Sequence, residues 1–309
     1  MNQEEVIVVS NLQKSINSEE ILSSISFKVH KGEFFCFLGP DGSGKSTIID
    51  ILVGLRKPTE GKITILGYDR YNPLEMREIK KVIGVLPQEF RTHDNLSVKE
   101  NILFWGKMYD KMFDINEMLD KFKLVDKANT RYRKLPGNLK RRVGLAIAFV
   151  NKPEIVFLDE PTTGLDQFAK KEVWEILLDF KRQGTTIFMT TNQAIEPQVL
   201  ADRVAIIHKG LIKDVGSPVE LIDRYSSSGK IIIRFTSSDE RSSAIQKLQS
   251  DCPIEIIDDN IEISSDEITL LEILAKLDKA NIRYSDLITQ KPTLNDVFIT
   301  LTGEKLNNT

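Results

Sequence analysis

The chain reads as an α/β protein: a mainly parallel sheet with an antiparallel piece beside it, followed by a small α+β domain. Three observations lead there. Apolar runs of strand length alternate with amphipathic stretches of helical length over residues 1–225, the pattern of a parallel sheet with crossover helices. A glycine-rich loop, Gly39-Pro40-Asp41-Gly42-Ser43-Gly44-Lys45-Ser46-Thr47, lies between one such strand and one such helix. The pattern is interrupted at Ser226-Ser227-Ser228-Gly229, which has the composition of a linker. The expected domains are therefore 1–225 and 226–309.

The elements follow in order. Residues 6–10 are almost continuously apolar and 24–29 alternate apolar and polar, and both read as strands of the antiparallel piece. Residues 34–38 are continuously apolar, as a buried strand is. A helix starts near Lys45, and further strands are expected over 62–66, 82–86, 155–158, 185–189 and 203–208. Helical periodicity is clearest over 98–109, 140–150 and 168–181. Past the linker, strands are expected at 230–235, 254–257, 261–264 and 282–288, with helices at 238–250, 269–279 and 294–301. That set reads as a small α+β sandwich.

Composition narrows the function classes. Lys+Arg 42 against Asp+Glu 45 gives a net charge of −3, which argues against a general nucleic-acid binder. The two cysteines, Cys36 and Cys252, make no disulfide framework or zinc site, so a reducing cytosol is expected. No apolar run approaches the ~20 residues that span a bilayer. The acidic start Met1-Asn2-Gln3-Glu4-Glu5 lacks a signal-peptide core. Any action at a membrane is expected to pass through a partner.

The glycine loop matches G-x-x-x-x-G-K-[ST] in its required strand–loop–helix context. Its glycines let successive N–H groups face one phosphate, and the helix adds its positive dipole end. Lys45 can reach the β- and γ-phosphates, and the Ser46 hydroxyl can hold Mg²⁺. The buried strand at 155–158 then ends in Asp159-Glu160-Pro161. An acid at the C-terminal end of a strand in such a sheet lies beside the phosphate loop. Asp159 suits Mg²⁺ held through water, and Glu160 suits a general base on the attacking water. These residues predict a nucleoside triphosphate site.

Thr163-Gly164-Leu165-Asp166 follows at once, Gln88 closes Val85-Leu86-Pro87-Gln88, and Arg141-Arg142-Val143-Gly144-Leu145-Ala146 starts a helix. With these the chain resembles the ATP-binding subunits of ABC transporters over residues 1 to about 225. The resemblance implies a cassette with an antiparallel and a helical subdomain, binding ATP and Mg²⁺. It makes Gln88 the glutamine loop, which senses Mg²⁺ and nucleotide and faces a membrane-spanning subunit, and adds Gln88 to the Mg²⁺ ligands Ser46 and Asp159. Asp166 becomes the loop that crosses to a second cassette, in a homodimer or a heterodimer. It also implies a place on the cytoplasmic face of the membrane and no nucleic-acid partner. The ending Pro292-Thr293-Leu294-Asn295-Asp296-Val297-Phe298-Ile299-Thr300-Leu301-Thr302-Gly303 is similar to that of the drug- and sodium-exporter branch, where a small C-terminal domain helps dimerisation or regulation. Between Asp251 and Glu272 lie eight acidic residues and no Lys or Arg, a run read as a solvated face.

The sequence departs from the family at three places. Where the family has Leu-Ser-Gly-Gly-Gln, the signature that one cassette offers to the nucleotide of the other, this chain has Leu135-Pro136-Gly137-Asn138-Leu139. Pro136 brings neither hydroxyl nor N–H, although proline is comfortable at a helix start. Asn138 replaces a glycine that permits close backbone approach. After Thr190-Thr191 the family has a histidine that positions the attacking water; here it is Asn192, and the three histidines lie at 30, 93 and 208. An amide cannot exchange a proton near neutral pH. Ile16 stands near the position where an aromatic ring stacks on adenine. The expectation is an exporter ATPase in which Glu160, Gln88 and Asn192 are the catalytic set and hydrolysis is slow. The alternative is a nearly non-catalytic regulatory subunit paired with an active ATPase. A soluble ABC protein acting on nucleic acid or ribosomes has only the basic cluster Arg131, Arg133, Lys134, Lys140, Arg141 and Arg142 behind it.

Overall fold

A computed structural model describes residues 4–225, 229–249, 254–257, 260–264 and 269–306. The chain divides into two compact units, the first made of the residues up to Pro218 together with Leu306 and the second running from Val219 to Lys305.

The first unit opens with β1 (Glu5–Ile16) and β2 (Glu19–His30), an antiparallel hairpin. Both strands run past the expected 6–10 and 24–29, because the turn Asn17-Ser18 takes positive φ at both residues, 49° and 67°. That geometry matches strand twist and lets pairing continue to the turn. β3 (Phe34–Leu38), α1 (Lys45–Leu52), β4 (Glu60–Ile65), β5 (Tyr68–Asp69), α2 (Pro73–Val82) and β6 (Ile83–Leu86) follow. Next come α3 (Val98–Gly106), α4 (Ile115–Lys121) and α5 (Gly137–Phe149), then β7 (Ile155–Asp159), α6 (Gln167–Arg182) and β8 (Thr186–Thr191). α7 (Ile195–Leu200), β9 (Arg203–His208) and β10 (Leu211–Gly216) complete this unit; α8 (Pro218–Tyr225) follows and, apart from Pro218, belongs to the second. The division between the units falls at the head of α8.

A six-stranded sheet has the order β10-β9-β3-β8-β7-β6. All its pairings are parallel except that of the edge strand β10 with β9. A second, antiparallel sheet has the order β2-β1-β4-β5. Between the sheets Phe27, Phe35, Phe37, Phe157 and Phe188 pack ring on ring, with neighbouring centroids 5.0–6.0 Å apart. On the other face of the parallel sheet, α3, α4, α5 and α6 share a core with Leu86, Val156, Leu158 and Met189. β3 and β7 are buried along their whole length, so both their ends are fixed where they meet the loops that follow.

The second unit holds β11 (Lys230–Arg234), α9 (Ser238–Leu248), β12 (Ile254–Ile257), β13 (Asn260–Ser264), α10 (Leu270–Lys279), β14 (Asp286–Gln290) and α11 (Leu294–Thr302). Its antiparallel sheet, β12-β13-β11-β14, meets α9 and α10 over Ile233, Ala244, Leu248, Ile261, Ile273 and Leu277. The strand expected at 282–288 begins four residues later, at Asp286. Residues 281 and 282 instead finish α10. Asn281 is left-handed at φ 53°, its N–H donates to the Asp278 carbonyl, and the Ile282 N–H donates to the Leu277 carbonyl. This paired C-terminal cap draws Ile282 into the core. The serine linker 226–228 and much of the acidic run lie outside the described residues. Among the described residues, no helix is long and apolar enough to cross a membrane.

Candidate functional site

The site forms where β3, β7 and β8 end side by side. β3 gives way to the loop Gly39–Thr47, with Gly42 at φ 77° and Gly44 at φ 101°. A Cβ on Gly39 would stand 2.3 Å from the Ile207 carbonyl, and one on Gly44 2.6 Å from Leu22 Cδ2. Only glycine lets the loop curl this close to the sheet. Gly39 N–H donates to the Thr191 carbonyl, which ties the loop to the end of β8, and Ser43 N–H closes a turn on Pro40. α1 then starts at Lys45 with no acid in its first turn, so its N–H groups and dipole face the loop unneutralised. Ser46 and Thr47 are half-buried in that first turn.

Lys45 is only 4% exposed, and its ammonium donates to the carbonyls of Gly39 at 2.8 Å and Pro40 at 2.9 Å. Glu160 Oε1 lies 3.5 Å from the same nitrogen. The other oxygen, Oε2, accepts from Gln88 Nε2 at 3.4 Å and from the Thr163 hydroxyl at 3.1 Å. Asp41, Gly42, Gly44, Lys45, Ser46, Gln88 and Glu160 line one cavity of about 140 Å³. Residues far apart in the sequence, 39–46, 88 and 160, thus converge on one point. The Ser43 hydroxyl is buried with no partner, and an orphaned donor in a ring of glycines fits an anionic ligand.

The other expected residues are distributed around this point. Asp159, buried at the end of β7, is not among the residues lining this cavity, and its carboxylate accepts the Thr190 hydroxyl. Asn192 is 6% exposed, and its amide donates to Asp41 Oδ1 at 3.2 Å, so the end of β8 reaches the phosphate loop through Asn192. Ile16 ends β1 half-buried. Asp166 caps α6 by accepting the Ala169 N–H at 2.9 Å. Pro136 caps α5 without a side-chain bond, and Asn138 Oδ1 accepts the Leu139 N–H at 2.8 Å, occupying one of that helix's free donors. Cys36 is fully buried in β3, and burial pushes its thiol well above the usual range, as in an inert core thiol.

Two further groups hold the site together: Glu196, which no motif marks, and Arg141, which the sequence places at the start of a helix without showing what it holds. Glu196 is completely buried, and both its oxygens accept hydroxyls, from Thr162 and Thr191, with Trp174 Nε1 at 3.4 Å. It ties the segment after Glu160 to the segment that carries Asn192. Arg141 donates only to backbone carbonyls of the site, and burial lowers its pKa to about 10. A carbonyl has no sequence signature, so nothing in the spacing marks such a residue. Of the basic cluster around α5, Arg141 is engaged in this way, Arg142 pairs with Glu172, and Lys140 lies over the Tyr132 ring.

Comparison with known proteins agrees with this geometry. The profile of the ABC transporter family matches residues 22–163. The linearmycin resistance ATP-binding protein LnrL of Bacillus subtilis is 31% identical, covering 98% of this chain and 100% of its own length. The Nod factor export ATP-binding protein I of Rhizobium etli is 33% identical over 96% of this chain and 93% of its own. A dimeric ATP-binding cassette solved in a post-hydrolysis state with ADP and Pi superposes with a TM-score of 0.63 at 25% identity, over 68% of this chain and 98% of that one. The chain belongs to the ABC transporter family, as an ATP-binding subunit of the drug-exporter branch.

Proposed function

We propose that this subunit binds MgATP in the Gly39–Thr47 loop and hydrolyses it slowly, at an interface with a second cassette, on the cytoplasmic face of a membrane. Its closure drives a separate membrane-spanning subunit. One observation carries the reading: the Glu160 carboxylate is held between Lys45 and Gln88 at the mouth of the phosphate loop. Lys45 and the loop N–H groups bind the phosphates, and Glu160 accepts a proton from the attacking water. Ser46, Gln88 and Asp159 offer hydroxyl, amide and carboxylate oxygens, a hard donor set that fits Mg²⁺. The ion, when bound, supplies charge neutralisation for the phosphates.

The membrane partner is supported by a groove of about 540 Å³ on the same unit. Val85, Pro87, Phe90, Trp105 and Tyr109 line it, next to Gln88. A helical segment of the membrane subunit seated there would feel any movement of Gln88. Slow turnover is supported by Asn192, which offers Asp41 a hydrogen bond but can carry no proton. It is supported again by Pro136, which heads α5 with no donor of its own.

These last two observations also favour a second reading, a regulatory subunit that binds ATP beside an active paralogue. Steady-state ATPase of the purified chain, with MgATP affinity and a Glu160→Gln control, separates the two. Tight binding with slow turnover that Glu160→Gln abolishes is expected. Tight binding with no Glu160-dependent turnover overturns the first reading and leaves the second.

A further inference from the structure

Arg141 lies one turn into α5, after the altered signature at Pro136–Asn138. Its guanidinium carries five N–H donors, and all of them have acceptors. Nε donates to the Pro161 carbonyl at 2.9 Å. Nη1 donates to the carbonyls of Pro87 at 3.0 Å and Gln88 at 2.9 Å. Nη2 donates to those of Asp159 at 2.7 Å and Glu160 at 2.8 Å. No carboxylate is among these partners. The next residue offers the contrast: Arg142, on another face of α5, pairs with the Glu172 carboxylate in the ordinary way for a buried arginine.

The carbonyls are those of the two segments that carry the reacting groups. Glu160 sits at φ 46°, a left-handed backbone that a non-glycine residue adopts at a cost. Its own N–H is held by Thr190, through the carbonyl at 3.1 Å and the hydroxyl at 3.2 Å. Its carbonyl and that of Asp159 are held by Arg141. The peptide groups on both sides of Glu160 are therefore fixed, and the side chain is aimed at Lys45 and Gln88. The same guanidinium holds the Gln88 backbone, so it sets the distance between base and amide.

We propose that Arg141 is the positioning residue for Glu160 and Gln88, coupling α5, and with it the signature at that helix's head, to the geometry of the chain's own nucleotide site. Movement of α5 when a second cassette closes would be carried by this one side chain to both groups. The inference rests on the reading of Glu160 as the base.

The test uses the full chain and the variants Arg141→Met, Arg141→Lys and Glu160→Gln, with two readouts. The first is steady-state MgATP hydrolysis. Arg141→Met should lower kcat by about 10- to 100-fold, the scale of a small misplacement of a reacting group, with KM changed by less than about threefold because the phosphate-loop contacts remain. Arg141→Lys should recover part of the loss, since an ammonium has three donors but no planar fork. The second readout is amide hydrogen exchange. Arg141→Met should speed exchange at 87–91 and 159–163 and leave the rest of α5 protected. Unchanged kcat with unchanged exchange in those segments overturns the proposal. So does a loss in which exchange rises throughout α5, for that is ordinary destabilisation. If Glu160→Gln leaves wild-type turnover untouched, it is the reading of Glu160 that fails, and exchange alone then decides whether Arg141 holds the two segments.

Discussion

Asn192→His is the perturbation that bears most directly on why turnover should be slow. Asn192 is 6% exposed at the end of β8, with its amide 3.2 Å from Asp41 in the phosphate loop. An imidazole placed there would stand at the mouth of the cavity that Glu160 and Lys45 line. A positioned proton-transferring group typically contributes about 10²–10⁴-fold. Pro136 and Asn138 remain unrepaired in the variant, so we expect less than that range, about 10- to 100-fold in kcat, or about 1.4–2.8 kcal/mol in barrier height. KM for MgATP should stay within about twofold, since the residue adds nothing to ground-state phosphate binding. The pH profile supplies an independent signature. The neighbouring Asp41 carboxylate favours the imidazolium, so the new histidine should titrate above its ordinary value of about 6.5. The variant should acquire a titration step in kcat in that region that the wild-type chain lacks. Steady-state phosphate release at saturating MgATP, from about pH 6 to about pH 9, reads both quantities across the histidine range. A kcat unchanged or lower at every pH, or a rise with no new step, would refute the account of Asn192.

Three further outcomes are expected. Lys45→Ala removes an ammonium held at 2.8 and 2.9 Å by the loop carbonyls, and it should weaken ATP binding by at least about 100-fold, near 2.8 kcal/mol, as titration calorimetry would record. Gly84→Ala, in β6, would put a Cβ 1.8 Å from the Ala148 carbonyl; the strand and α5 must separate, at a cost of about 3 kcal/mol, seen as a lower urea midpoint. Ser97 and Glu100 cap α3 reciprocally, and Ser97→Ala should cost about 1 kcal/mol at neutral pH in the same assay. The Glu100 carboxyl is held below its ordinary 4.5 by the Ser97 N–H first and then by the Ser97 hydroxyl. Its contribution is therefore complete above that value and lost as pH falls through the lowered pKa, and Ser97→Ala should reduce this acid-side loss.

Much of the fold could be read because the signals were local. β3 and β7 are unbroken apolar runs, and the phosphate loop carries its own glycines. β10 carries no such signal, because an edge strand with half-exposed residues has no continuous apolar run. α2 and α4 are short, and each declares itself mainly through its cap, Asn72 and Asp114. The expected strand at 282–288 counted Ile282 as strand because an apolar residue closing a helix cap looks the same in sequence. The site follows the same division. Lys45, Glu160 and Gln88 are named by motifs. Their convergence depends on Arg141 and Glu196, which act through carbonyls and hydroxyls from segments that the sheet order alone brings together.

The strain at Glu160 weighs on the choice between the two functional readings. A left-handed backbone at a non-glycine residue costs about 1–2 kcal/mol, and here Thr190 and Arg141 hold it in place from both sides. A subunit that only bound nucleotide would need Lys45 and the loop, but not a base aimed in this way. The altered residues, by contrast, fall on two different sites of the proposed dimer. Asn192 belongs to the site built on this chain's own phosphate loop, whereas Pro136 and Asn138 belong to the site built on its partner's. In a homodimer each site carries both defects, so Asn192→His and the pair Pro136→Ser with Asn138→Gly should together raise kcat well beyond either change alone. Beside an intact paralogue, each repair should act on one site only, and either alone should bring that site to full speed. Comparing the single and combined repairs in the isolated chain tests whether both defects meet in one site, and a combined gain no larger than the better single repair would contradict the homodimer arrangement.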